Sequence, residues 1–218
     1  MQKRGLDTRV LLGLLVLIVI AGGVALLAIG GNSSSKAKQA KAEASAAHFD
    51  AEGLLEPIKP APPLSLNNYL GQPVNIDSYR GKAVLVTFLY TNCPDVCPLI
   101  TSNLRVALNL MGKAEASKVQ VIAVSVDPKG DTPKAIGAFL ARHQMTGRMQ
   151  YLIGSAPELA KVWEAWGVGS ERDAQQPQFI NHSGLIYGIT ASGKRLTIYA
   201  ANFQPKEIVH DVPLLAAR

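Results

Sequence analysis

Ala83-Val-Leu-Val-Thr-Phe-Leu-Tyr90 runs directly into Thr91-Asn92-Cys93-Pro94-Asp95-Val96-Cys97-Pro98. The first stretch is a nearly continuous run of apolar and β-prone residues. A strand covered on both faces requires that pattern. The second holds both cysteines of the chain in a C-x3-C spacing. Downstream of it, Pro98–Met111 carries Ile100, Leu104, Leu108 and Met111 near helical spacing, with Gly112 as a stop. Val119–Val126 is a second buried strand, and Thr132-Pro133 opens a helix to His143 with a threonine cap and proline at the first position. A short strand over Met149–Ile153, a helix over Ala156–Trp166, and strands over Gly184–Thr190 and Arg195–Ala200 follow. The last two are joined by the turn Ala191-Ser-Gly-Lys194. A final helix spans Pro205–Leu215, with Pro213 disturbing its end. Upstream, Leu64–Leu66 and Val74–Ile76 form a small hairpin, and Ile58–Pro63 reads as a stiff spacer. Strand and helix alternate, so the class is α/β, a mixed sheet flanked by helices. Sites in such sheets lie beyond the carboxyl ends of the strands. The cysteines follow the first central strand directly.

The chain has 218 residues, 48% of them hydrophobic, enough for one domain with a core plus appendages. Two cysteines exclude a disulfide-stapled miniature scaffold or a multi-finger zinc protein. The net charge is +6, and half of that excess lies in residues 1–50. What remains is too diffuse for a nucleic-acid footprint, so no nucleic-acid partner is expected. Val10–Gly30 contains no charged residue. As a helix it spans roughly 30 Å, the thickness of a bilayer core. Lys3, Arg4 and Arg9 precede it, which keeps that end in the cytoplasm and puts the rest outside. A cleaved signal peptide is the alternative, but its apolar run is usually shorter and closely followed by a cleavage site. The sequence therefore divides into a cytoplasmic N-terminus (1–9), a transmembrane anchor (10–30), a flexible tether (31–52) and a folded domain (53–218). The expected location is the plasma membrane, single-pass, with the domain on the external or periplasmic side.

An oxidising compartment decides what two cysteines do. Pro94 and Pro98 push the residues before them away from helical geometry, so Cys93 and Cys97 are placed on an irregular turn with the helix starting near Pro98. The helix dipole there favours thiolate, while Asp95 opposes a very low thiol pKa. A plain disulfide is one reading, but so short a loop gains little from closure. A metal site is another, and it needs further ligands. Four histidines are available. His48 lies in the tether, His143 closes a helix, and His210 sits on the last helix, on its surface. His182 opens the strand of the hairpin after the polar loop Gly169–Gln178. It faces the cysteine loop if its strand neighbours the cysteine-bearing one; otherwise it is a capped surface histidine. Two thiolates and an imidazole select soft or borderline ions, Cu(I) and Zn among them. With no fourth ligand evident, three-coordinate copper fits better than structural zinc.

Phe88-Leu-Tyr-Thr-Asn-Cys-Pro-Asp-Val-Cys-Pro98, Val124-Ser-Val-Asp-Pro128 with Asp131-Thr-Pro133, and Asn181-His182 together resemble the Sco/SenC family over roughly 60–218. The resemblance implies a thioredoxin-like domain on one membrane helix. It implies copper, as Cu(I) or Cu(II), on Cys93, Cys97 and His182, and a part in assembling the binuclear copper centre of cytochrome c oxidase. The partner would be the copper-bearing subunit or another copper-accepting protein. Asp127 and Pro128 match a structural turn. Asn181 stands where the family often has an acidic residue, and the Glu171–Gln178 loop departs from the common pattern. The expected activity is that of a metallochaperone, a binding protein rather than an enzyme. The alternative is a thiol–disulfide oxidoreductase using the pair Cys93 and Cys97 on an exported client. A thiol peroxidase ranks third.

Overall fold

The computed structural model describes residues 48–172, 174–175 and 180–218. The expected anchor Val10–Gly30 and most of the tether lie outside them. Among the described residues no helix is long and apolar enough to cross a membrane. Phe49–Arg218 is one compact unit.

Eight strands form the main sheet: β1 (Gly53–Pro60), β2 (Ser65–Asn68), β3 (Pro73–Asn75), β4 (Ala83–Leu89), β5 (Val119–Ser125), β6 (Met149–Ile153), β9 (Ile186–Ile189) and β10 (Lys194–Tyr199). Two more, β7 (Ser170–Arg172) and β8 (Ile180–His182), pair as a separate antiparallel ribbon. The helices are α1 (Val96–Ala116), α2 (Pro133–Arg142), α3 (Ala156–Trp166) and α4 (Pro205–Ala216). The order across the sheet is β1-β10-β9-β4-β5-β6-β2-β3. Only β4–β5 and β5–β6 are parallel, so the sheet is mixed, as expected.

All seven residues of β4 are buried, because it lies at the centre with layers on both faces. The layers can be read from β9. Tyr187 packs its ring against Trp166 of α3, 5.5 Å away. Gly188, the next residue and therefore on the opposite face, lies where a Cβ would come within 2.9 Å of Leu215 of α4. Helices α1 and α4 pack together on that second face. The α3 start has a capping box, with the Ser155 N–H and hydroxyl both donating to Glu158.

Four expectations need correction. The segment read as a spacer begins inside strand β1, which pairs with β10 despite Pro57 and Pro60. Proline is tolerated at a sheet edge, where one row of N–H groups faces no partner. Helix α1 starts at Val96, not near Pro98, because N–H groups in a helix's first turn lack helical partners anyway and a proline there removes nothing. Gly112, at φ 69° and ψ 174°, does interrupt the helix, but another turn follows. His182 does not open a hairpin strand: it ends β8, and residues 183–185 lead from there into β9.

Candidate metal centre

The site forms where β4 ends. β9 runs antiparallel beside β4 with Ile186 opposite Thr87, so the chain leaving β8 enters the sheet at the cysteine end. The strand that neighbours β4 is thus β9 and not β8, which carries His182 and pairs with β7, so His182 reaches the cysteine loop through the short link 183–185 rather than by lying on the neighbouring strand. A close approach fixes the spacing. A Cβ on Gly184 would sit 2.9 Å from Val96 and 3.2 Å from Ala201, so only a glycine lets this loop lie against the α1 start.

The cysteine loop is pinned from below. The Thr91 N–H donates to Asp131 Oδ1 at 2.8 Å. The other carboxylate oxygen of Asp131 accepts from Ser125 Oγ at 2.6 Å and from the Tyr151 hydroxyl at 3.0 Å. Burial raises the Asp131 pKa, and these hydrogen bonds work against that rise. One buried carboxylate thus joins β5, β6 and the cysteine loop. The sequence signal for it was the Asp131-Thr-Pro133 motif, to which no role had been attached.

At the helix start, the Asp95 side chain accepts from the Val96 N–H at 2.6 Å, and the Cys97 N–H donates to Cys93 Sγ at 3.2 Å. Sulfur here takes a donor that the helix leaves unpaired. Cys93 is 8% exposed and Cys97 fully buried; both are free thiols. The Cys93 pKa is lowered to about 6, chiefly by its hydrogen bond with the Cys97 side chain, against the opposing effect of burial. The same bond and burial push Cys97 far up. The two thiols therefore titrate as a coupled pair, with Cys93 shifted down and Cys97 up. The Asp95 carboxylate caps the helix, and its backbone N–H favours the Cys93 thiolate.

His182 Nε2 lies 3.9 Å from Cys97 Sγ. Its Nδ1 is 3.2 Å from the Ser183 carbonyl oxygen. A carbonyl only accepts, so Nδ1 carries the proton and Nε2 presents its lone pair toward the sulfur. Burial lowers the His182 pKa, so the ring is neutral at neutral pH, as a ligand must be. Tyr90 meets this ring edge-on at 5.8 Å. A cleft of about 490 Å³ opens above, lined by Tyr90, Cys93, Asp95, Val96, His182 and Ala201. Cys97 lies beneath it. The other histidines are placed elsewhere: His143 caps α2, and His210 is partly buried beside the Asp211 carboxylate, 2.8 Å away, rather than on the surface.

Bonds of roughly 2.3 Å to sulfur and 2.0 Å to nitrogen put two such ligands about 3.5–3.7 Å apart. The Cys97–His182 separation of 3.9 Å is slightly wider. Among the described residues no three His, Cys, Asp or Glu side chains are already closed to ion-binding distance. The donor set of two sulfurs and one imidazole suits a soft ion after a small contraction.

The chain's relatives bear on this geometry. The SCO1/SenC family model matches residues 56–217. The SCO1 protein homolog of Bacillus subtilis is 34% identical over 155 residues, covering 69% of this chain and 79% of that protein. Bradyrhizobium japonicum ScoI, solved with copper bound, aligns with a TM-score of 0.62 at 30% identity, over 72% of this chain and 99% of that one. BsSco, a member of the Sco family of cytochrome c oxidase assembly proteins in which a disulfide switch was identified, aligns with a TM-score of 0.61 at 26% identity, over 76% and 98%. A match across this length, on the strands and helices that carry the cysteines and His182, has one reading: the chain belongs to the SCO1/SenC family.

Proposed function

We propose that this protein carries one copper ion on Cys93, Cys97 and His182 and passes it to the copper-bearing subunit of cytochrome c oxidase during assembly of the binuclear centre. The observation that carries this reading is the His182 Nε2 lone pair, held 3.9 Å from Cys97 Sγ by a ring whose other nitrogen is tied to Ser183. Two thiolates and one imidazole suit Cu(I) better than harder ions. A ScoI relative binds copper, and BsSco belongs to a family of oxidase assembly proteins. In this reading copper is cargo, and the protein is a chaperone. It enters from the Cys93 and His182 side, since Cys97 is covered. Residues 10–30 hold the domain on the external face of the membrane, where the acceptor subunit presents its metal site.

One observation favours a second reading. A thiol pKa of about 6 makes Cys93 an attacking thiolate at neutral pH, as thiol–disulfide exchange with a client requires. The two readings share the cysteines and part at His182.

The test is copper uptake by the purified full chain. Fully reduced protein should bind one copper per chain. Oxidation of the two copper-bound thiolates to the Cys93–Cys97 disulfide passes two electrons to the added oxidant, the thiol protons having left when copper bound, and should release the ion, because a disulfide offers no thiolate. Copper retained stoichiometrically by the disulfide form would sink the ligand assignment.

A further inference from the structure

Tyr90 stands directly after β4, buried, between the two arms of the site. Its backbone carbonyl accepts the Cys93 N–H at 3.3 Å, closing the turn that carries the first cysteine. Its hydroxyl oxygen accepts the Ile180 N–H, also at 3.3 Å. Ile180 opens β8 and His182 ends it, so their side chains leave the strand on the same face. The Tyr90 ring meets the His182 imidazole edge-on, 5.8 Å between centroids and 78° between planes, a favoured aromatic arrangement. β8 needs such a hold. It pairs with β7 in a ribbon of three residues a strand, apart from the main sheet, and so small a ribbon is marginally stable by itself. One residue thus holds the cysteine arm with its backbone and the histidine arm with its side chain.

We infer that Tyr90 is a positioning residue of the copper site: its hydroxyl clamps β8 to the end of β4 and so sets how far His182 Nε2 stands from Cys97 Sγ. That separation is 3.9 Å, so only a small contraction is needed to close both ligands on one ion. Without the hydroxyl the start of β8 is released. Copper binding then has to order the imidazole as well as ligate it, and that ordering weakens the complex. Tyr90 itself is no ligand and acts through His182. This deepens the copper reading and rests on it.

Tyr90→Phe removes one oxygen and keeps the ring. The full-length parent, Tyr90→Phe, His182→Ala and the double variant are each titrated with Cu(I) against a chelator. Tyr90→Phe should lower affinity about tenfold, the lower range for losing a group that supports a ligand. In the His182→Ala background the same change should move affinity by less than about twofold, because no imidazole is left to place. A tyrosine that only steadies the fold would cost the same factor in both backgrounds, and equal losses overturn the inference. So does parental affinity in Tyr90→Phe while His182→Ala binds weakly. Parental affinity in His182→Ala removes the ligand set of the copper reading, and the role of Tyr90 with it. A second readout involves no metal. The Ile180 amide should exchange with deuterium about tenfold faster in reduced, metal-free Tyr90→Phe than in the parent, and equal rates overturn the inference. If Tyr90→Phe does not fold, the metal-free parent decides. Its Ile180 amide should exchange at least about tenfold more slowly than in an unstructured chain, and exchange at the unstructured rate overturns the clamp.

Discussion

His182→Ala should lower copper affinity by more than about 100-fold, the upper range for losing a group that only supports a ligand. That factor corresponds to at least about 2.7 kcal/mol. The imidazole is one of three donors offered by the cleft, and its Nε2 faces Cys97 Sγ at 3.9 Å. No other histidine lines that cleft to replace it. Competition against a Cu(I) chelator measures the loss. The disulfide of the variant should still form and reduce as in the parent, since exchange needs only Cys93 and Cys97. Because burial lowers the His182 pKa, the parent should keep this donor at a pH somewhat below the ordinary histidine range. Unchanged copper affinity in His182→Ala would make His182 a bystander. Normal oxidase assembly in cells carrying it would favour the thiol-exchange reading.

Asp131→Ala should unfold the protein at markedly lower denaturant. The Asp131 side chain is buried and accepts three hydrogen bonds, from the Thr91 N–H, Ser125 Oγ and the Tyr151 hydroxyl. Each buried donor left without a partner costs about 1–3 kcal/mol, so the loss should reach at least about 3 kcal/mol. The urea midpoint should fall with little change in slope. The cysteine loop should loosen as well, because Thr91 is its first residue, and alkylation of the covered Cys97 should speed up. Asp131→Asn, which keeps one acceptor oxygen, should fall between the two. A change under about 1 kcal/mol for Asp131→Ala would mean that water replaces the carboxylate and that the loop is held by other contacts.

The centre of the fold was legible because its signals are local. β4 is a run of seven buried residues and reads as a central strand without any neighbour being known. β6 and α3 have the bounds that the pattern indicated, and Thr132 caps α2 with its side chain on the Ala135 N–H. The margins were less legible. β1 contains Pro57 and Pro60, and its pairing with β10 shifts register between Leu54 and Lys59, so no strand periodicity survives. β7 and β8 are three residues each, Ser-Glu-Arg and Ile-Asn-His, too short and polar to stand out. At the site, the C-x3-C spacing brought Cys93 and Cys97 together by itself. The nearness of His182 depended on β9 pairing with β4, a tertiary fact that composition cannot supply. Asp131 and Tyr90 were both quoted in the motifs, yet what each holds lies about 40 and 90 residues away in sequence, beyond the reach of spacing.

The most direct measurement is X-ray absorption at the copper edge on the reduced, copper-loaded full chain. The account predicts a shell of two sulfurs and one imidazole nitrogen, losing the nitrogen in His182→Ala and one sulfur in Cys93→Ser or Cys97→Ser. A shell of nitrogen and oxygen alone, or one that the His182 substitution leaves unaltered, would contradict it.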